Sequence, residues 1–357
     1  MVTLTVELAR ALVNMRGAGS AKGASEKDEF TLLCSRERPT ALRDLACDAV
    51  LAPYRHEVAL KLRWLPLVES QLDCDAILYP FWPSPPRRRR GAPPAAVYIH
   101  DLAFRLRAAE VPWQQRAYLG TVVGPALRNA AAVLVPSETT RRDLLDCYPL
   151  PGLEARVSVV PEGLSLRAPT GALPDGLKPG FVLAVGTVEP RKNYARLLTA
   201  YRQLRSRSTA PPLVVAGRPG WAYGNTVRRL AAEPGVRYLG HVDEPTLSAL
   251  YGAASVFAFP SLYEGFGLPL LEAMAHGLPS LAGAVGALPE LASGAALLVD
   301  PEDVTAIGEA LERLLADEHL RKKLSSAGRR RARAFTWARS AKLTLEVLRT
   351  IGKERAQ

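Results

Sequence analysis

The sequence predicts an α/β protein made of two doubly wound, Rossmann-like domains. Three observations carry this. Short apolar runs alternate with longer amphipathic ones through both halves, the pattern of parallel sheets with crossover helices. The length of 357 residues fits two domains at roughly 150 residues each. A Pro/Gly-rich stretch of weak periodicity, Pro161-Glu-Gly-Leu through Pro179-Gly180, separates the two series and reads as a linker.

In the first half, strands are expected at Glu29–Cys34, Asp75–Phe81, Ala95–His100, Ala132–Pro136 and Arg156–Val160, with helical patterns near 3–15, 58–72, 112–130 and 138–147. In the second half the strands are Phe181–Val185, Leu213–Ala216, Val236–Leu239, Val256–Pro260, Pro279–Ala282 and Ala296–Val299. Helices follow near 193–206, 225–233, 244–254, 268–276 and 303–317. The expected domains are 1–165 and 175–340. A helix at 341–357 is expected to pack back towards the first domain. In sheets of this kind ligands bind beyond the carboxyl ends of the strands, and a cleft between the two domains is the expected active site.

Composition narrows the class. Hydrophobic residues are 48% and charged residues 23%, which excludes a disordered or collagen-like chain. No run approaches the ~20 apolar residues of a membrane-spanning helix. No basic segment with an apolar core follows Met1, so no secretory signal is expected. Cys34, Cys47, Cys74 and Cys147 are widely spaced without a C-x-x-C pair, which points to reduced cytoplasmic thiols and away from structural zinc.

The net charge of +11 is unevenly placed: residues 319–357 hold twelve basic and two acidic side chains, nearly the whole excess. A basic tail on a near-neutral body reads as an attachment device for an anionic membrane surface, or as a solvated helical face. Residues 83–94 carry four consecutive arginines, with the same two readings, and residues 14–28 are Gly/Ser-rich and expected to be mobile.

The densest chemical signal is Ser261-Leu-Tyr-Glu264-Gly-Phe-Gly-Leu-Pro-Leu-Leu-Glu272, directly after an apolar strand. Gly265 and Gly267 allow close backbone approach, Pro269 suits a first helical turn, and the helix N-terminus favours an anion such as a phosphate. Glu264 and Glu272 would repel a phosphate, so their partners are hydroxyl groups. A ligand with both phosphates and hydroxyl-rich rings is a nucleotide sugar. The second signal is Gly186-Thr-Val-Glu-Pro-Arg191-Lys192-Asn193, also after a strand, where adjacent arginine and lysine suit a diphosphate. The third is Val97-Tyr-Ile-His100-Asp101-Leu at a strand end of the first half.

Together these segments resemble the retaining glycosyltransferases of family 4, with the two-domain GT-B fold, over residues 3 to about 345. The hallmark is Glu264, seven residues, then Glu272. Val135-Pro-Ser-Glu, Leu288-Pro-Glu-Leu and Leu298-Val-Asp-Pro-Glu-Asp are supporting likenesses. The resemblance implies that Glu264 contacts the donor sugar, Glu272 the ribose, and Arg191 and Lys192 the diphosphate. Gly186 and the backbone of Gly265, Phe266, Gly267 and Leu268 complete the donor pocket, and Val242 lies near the base. His100 is expected beside the transferring sugar, with Asp101 on the acceptor side. Catalytic roles thus fall to His100, Glu264, Lys192 and Arg191. No metal or other cofactor is expected, by resemblance.

Two departures bear on this. Family members start with a central strand and a glycine loop, whereas Met1 sits almost at the first helix, so that strand is expected to be missing here and a start upstream is favoured. In Gly283-Ala-Val-Gly-Ala-Leu-Pro, relatives often carry hydroxyl or amide side chains. The expected function is retaining transfer of a sugar, mannose from GDP-mannose as the first choice, to a hydroxyl of a glycan or polyprenyl-linked acceptor in surface polysaccharide assembly. The expected location is the cytoplasm or the inner membrane face, and no nucleic acid partner is expected. The competing readings are a glycoside hydrolase using the two glutamates, a nucleotide-sugar epimerase, and an impaired, shortened relative that binds nucleotide sugar or a partner subunit without turnover.

Overall fold

The computed structural model describes residues 2–15, 28–35, 39–53, 60–81, 84–165, 171–221 and 224–356. The Gly/Ser-rich loop lies almost wholly outside them. The chain divides into two compact units. One comprises Met1–Leu102, Gln114–Ser165 and Phe335–Gln357; the other comprises Ala103–Trp113 and Leu166–Ala334.

The first unit opens with helix α1 (Val2–Asn14), followed by β1 (Thr31–Ser35) and β2 (Asp48–Ala52), which pair in parallel. A separate parallel sheet orders β3 (Ile77–Tyr79), β4 (Ala95–Tyr98), β5 (Ala132–Val135) and β6 (Val157–Val159) side by side. Strands β4 and β5 are buried along their whole length, which is why they read as unbroken apolar runs rather than alternating ones. Among the described residues no strand joins the two sheets. Helix α2 (Trp113–Asn129) leads into β5, and α3 (Glu138–Cys147) follows it, capped by the Ser137 hydroxyl accepting from the Thr140 N–H at 3.0 Å. The C-terminal helix Trp337–Ala356 packs Trp337, Ala341 and Leu345 against Leu8 and Leu12 of α1, and Ile351 against Ala96 and Ala132.

The second unit is one parallel sheet of six strands: β7 (Val182–Val185), β8 (Leu213–Ala216), β9 (Val236–Gly240), β10 (Val256–Phe259), β11 (Ser280–Gly283) and β12 (Leu297–Val299). Their spatial order is β12-β11-β10-β7-β8-β9. Helices α4 (Tyr194–Arg207), α5 (Gly224–Ala232), α6 (Glu244–Ala253), α7 (Leu268–Ala275), α8 (Val304–Ala316) and α9 (Glu318–Ala332) cover it. Asp243, Asp303 and Asp317 cap α6, α8 and α9 through side-chain oxygens 2.8–3.1 Å from first-turn N–H groups. The chain runs from β7 outward to β8 and β9, then crosses to β10 on the other side of β7. The switch point of the winding therefore lies between β7 and β10, where such sheets bind ligands.

The basic runs have specific structural partners. Within the four-arginine loop, Arg88 donates to the buried Glu69 at 2.8 Å and to the Pro93 carbonyl, while the Tyr79 hydroxyl also meets Glu69; Arg87, Arg89 and Arg90 stay exposed. In the basic tail, Arg321 donates to the carbonyls of Leu314 and Leu315, and Arg331 to those of Glu290 and Leu291. Arg349 pairs with Asp28. Arg321 and Arg331 thus tie down helix ends. Arg330, Arg333, Arg339 and Lys342 remain exposed.

Candidate active site

The second unit's site forms at the carboxyl ends of β7 and β10. Gly186 leaves β7 at φ +144°, a conformation suited to glycine, and its N–H donates to the Ala216 carbonyl at 3.0 Å. A single 3-10 turn, Pro190–Lys192, then brings Arg191 and Lys192 round to the β10 side. Asn193, in the left-handed region at φ +61°, fixes that turn. It is buried, and its amide donates to the carbonyls of Pro260 at 2.9 Å and Pro301 at 2.6 Å, tying the ends of three strands together.

On the other side, Glu264 is buried in the loop after β10. Its Oε2 accepts from Arg191 Nη1 at 2.8 Å and its Oε1 from Lys192 Nζ at 2.6 Å. Arg191 also donates to the Tyr263 carbonyl and to Glu189, both at 2.8 Å, and Lys192 Nζ lies 4.9 Å from the centre of the Phe259 ring. Burial alone would raise the Glu264 carboxyl, but the charges of Arg191 and Lys192 outweigh it and hold the group at about 2. Burial lowers the Lys192 ammonium, with Glu264 opposing. The two cations are therefore matched by two carboxylates, Glu189 and Glu264.

The Gly283–Pro289 segment supports this loop through its backbone. The Ala287 N–H donates to the Glu264 carbonyl at 2.9 Å, and Gly286, at φ +57°, lies so close to the Glu264 backbone that a Cβ would collide with it. Small residues are needed there for contact with the loop, whatever polar side chains relatives carry.

Helix α7 opens at Gly267, φ +104°, with Pro269 in its first turn and no side-chain cap. Gly265 and Phe266 lie buried just before it, and Leu268 is its first residue. Glu272 lies one turn further and does not join the Arg191–Glu264–Lys192 cluster. Its Oε2 accepts from the Tyr251 hydroxyl at 2.9 Å, and the Tyr251 ring stacks on His276, with centroids 5.4 Å apart. Burial pushes Glu272 up to about 7, only partly offset by the Tyr251 hydrogen bond. Val242 is half-buried in the loop between β9 and the cap of α6.

In the first unit, His100 follows β4. Its Nε2 lies 2.8 Å from the Pro80 carbonyl and its Nδ1 3.5 Å from Glu162 Oε1, with the Tyr98 ring 4.7 Å away. Asp101, half-buried, comes next. Sequence reading missed Glu162, Glu189, Asn193 and Tyr251. Glu189 and Asn193 stood inside a quoted motif; nothing in the sequence marked the other two.

The chain is similar to known proteins along most of its length. Residues 172–331 match the model for group 1 glycosyl transferases, and residues 1–167 match that for Glycosyltransferase Family 4. The O-antigen chain mannosyltransferase B of Escherichia coli is 32% identical over 268 residues, 72% of this chain and 70% of its own. The serotype-specific mannosyltransferase WbdA of the same organism is 34% identical over 172 residues, 46% of this chain and 21% of its own, so the match spans about a fifth of that relative. Among solved structures, Anabaena Alr3699/HepE in complex with UDP and glucose superposes with a TM-score of 0.69 at 17% identity, over 96% of this chain and 95% of that one.

Proposed function

From a chain that belongs to the family 4, group 1 glycosyltransferases with the GT-B fold, we propose that this enzyme moves mannose from GDP-mannose to an acceptor hydroxyl with retained anomeric configuration. The single observation that carries this reading is the cationic pair Arg191 and Lys192 set against Glu264 at the β7/β10 switch point. The mannosyl preference is supported by relatives named as mannosyltransferases.

The residues assign the steps. The donor diphosphate takes the place of the Glu264 carboxylate on Lys192 and shares Arg191, because a doubly charged group outcompetes one carboxylate for two cations. Glu264, released from Lys192, accepts from a hydroxyl of the sugar. The open end of α7 adds its dipole to the same phosphate. The C1–O bond to the diphosphate breaks as charge grows on the leaving oxygen, which the cations stabilise. The acceptor oxygen bonds to C1 on the same face, and its proton passes to the departing phosphate.

Glu272 accepts from the ribose hydroxyls in its ionised form. With its carboxyl near 7, the ionised fraction rises from roughly a tenth at pH 6 to nine tenths at pH 8. Donor affinity measured by calorimetry is therefore expected to strengthen several-fold between those pH values, and Glu272→Gln to flatten the profile. The stability effect runs oppositely. A carboxyl raised on folding stabilises most below about 4.5, and that contribution disappears as pH rises through 7.

The acceptor in this reading is a glycan or polyprenyl-linked hydroxyl of a surface polysaccharide, met at the cytoplasmic membrane face. The exposed Arg330, Arg333, Arg339 and Lys342 would supply attraction to anionic lipid. No helix among the described residues is long and apolar enough to cross a membrane. Binding to anionic vesicles should weaken with added salt. An assay against a panel of nucleotide sugars, scoring both donor hydrolysis and transfer, tests the donor. GDP-mannose turnover supports the proposal; nucleotide-sugar binding without turnover favours the non-catalytic subunit.

A further inference from the structure

We propose that Ser261 is a positioning residue of the donor site, whose hydroxyl takes over the Glu264 carboxylate when the diphosphate draws Lys192 away. This rests on the transferase reading above and deepens it at the same site.

Ser261 stands in the loop after β10, just beyond Phe259 and Pro260, and is wholly buried (0% exposed). Its Oγ has no hydrogen-bond partner among the described residues. A buried hydroxyl without a partner gives up its hydration and gains nothing in return, so native structures rarely keep one. Size does not explain it, because alanine would fill the same space without an unmet polar atom.

The surrounding backbone holds Ser261 in place. The Leu262 N–H donates to the Arg191 carbonyl at 2.8 Å, and the Pro260 carbonyl accepts from the Asn193 amide at 2.9 Å. A Cβ on Gly283, at the end of β11, would collide with the Ser261 carbonyl. The carbonyls of Tyr263 and Glu264 already accept, from Arg191 and from the Ala287 N–H. Burial raises the Glu264 carboxyl, Arg191 and Lys192 bring it down, and the Ser261 hydroxyl adds to their effect. The hydroxyl and the carboxylate thus stand near one another without a closed hydrogen bond.

Before the donor binds, Glu264 has its cations: Lys192 holds Oε1 at 2.6 Å and Arg191 holds Oε2 at 2.8 Å. Once Lys192 turns to the diphosphate, Oε1 loses its ammonium in a buried site, where a carboxylate short of donors is costly. The Ser261 O–H then donates to it, a charge-assisted bond that satisfies both groups at once. A hydroxyl unmet before binding and met after it favours the donor-bound state, and it keeps the carboxylate ionised for the sugar.

The test joins calorimetry with GDP-mannose to a melting cycle of Ser261→Ala and Lys192→Ala. Ser261→Ala is expected to weaken GDP-mannose binding roughly 10- to 100-fold, the worth of a hydrogen bond to a charged group. Its melting temperature should stay at or above wild type, because an unmet hydroxyl has been removed. In the Lys192→Ala chain, Glu264 lacks its ammonium from the outset and already uses Ser261. There Ser261→Ala should lower the melting temperature, a change of sign that a space-filling serine would not produce. Wild-type affinity in Ser261→Ala, a lowered melting temperature in that single variant, or the same melting shift in both backgrounds each overturns the proposal. A wild-type chain that binds no GDP-mannose defeats the donor reading, whereas the melting cycle needs no donor and judges Ser261 by itself.

Discussion

Lys192→Ala is expected to lower transfer roughly 10²- to 10³-fold while the chain remains folded. The ammonium is buried, 2.6 Å from Glu264, and in the proposed reaction it meets the charge that grows on the departing diphosphate. Removing one such preorganised donor costs about 3–4 kcal/mol of transition-state stabilisation. The fold survives because Glu264 keeps Arg191 at 2.8 Å, so no buried carboxylate is stranded. The check is single-turnover kinetics beside thermal melting. Wild-type turnover in this variant would remove the diphosphate clamp from the account.

Glu264→Gln has the opposite balance, with stability suffering as well as turnover. It leaves the Lys192 ammonium without its hydrogen-bonded carboxylate and takes from Arg191 one of the carboxylates that face it. Removing one partner of a buried ion pair costs about 3–5 kcal/mol, a large share of the 5–15 kcal/mol that typically separates folded from unfolded protein. The melting transition of the second unit should fall by roughly 10 °C, and transfer should be lost. The depressed carboxyl gives a matching pH signature. Its contribution to stability is present above about 4.5 and is lost as pH falls towards 2, so acid unfolding of Glu264→Gln should show a shallower dependence over that window. A double-mutant cycle with Lys192→Met should return a coupling of about 0.5–3 kcal/mol; additivity would mean that the contact carries little energy.

The second unit was more legible in the sequence than the first. Strands such as Leu213–Ala216 and Val256–Phe259 are buried throughout, so an uninterrupted apolar run is what a central parallel strand must look like. Strand β2, Asp48–Ala52, was not anticipated. It starts at an aspartate, is mostly exposed, and carries Leu51 at 49% exposure, so neither a run nor an alternation stands out. Local motifs placed Arg191, Lys192 and Glu264 at strand ends. The ion pairs among them join residues 72 and 73 positions apart, which spacing cannot show. Charge counting also treats arginines as equivalent, whereas their contacts differ. Arg88 is half-buried against Glu69 while its neighbours in the run are exposed, and Arg321 and Arg331 terminate helices.

The most direct test of the diphosphate site is a crystal structure of the chain with GDP-mannose or GDP bound. The account predicts the β-phosphate within hydrogen-bonding distance of Lys192 Nζ and Arg191, with the Glu264 carboxylate withdrawn from its 2.6 Å contact and turned to the sugar. A nucleotide bound elsewhere, with the Arg191–Glu264–Lys192 cluster intact, would contradict it.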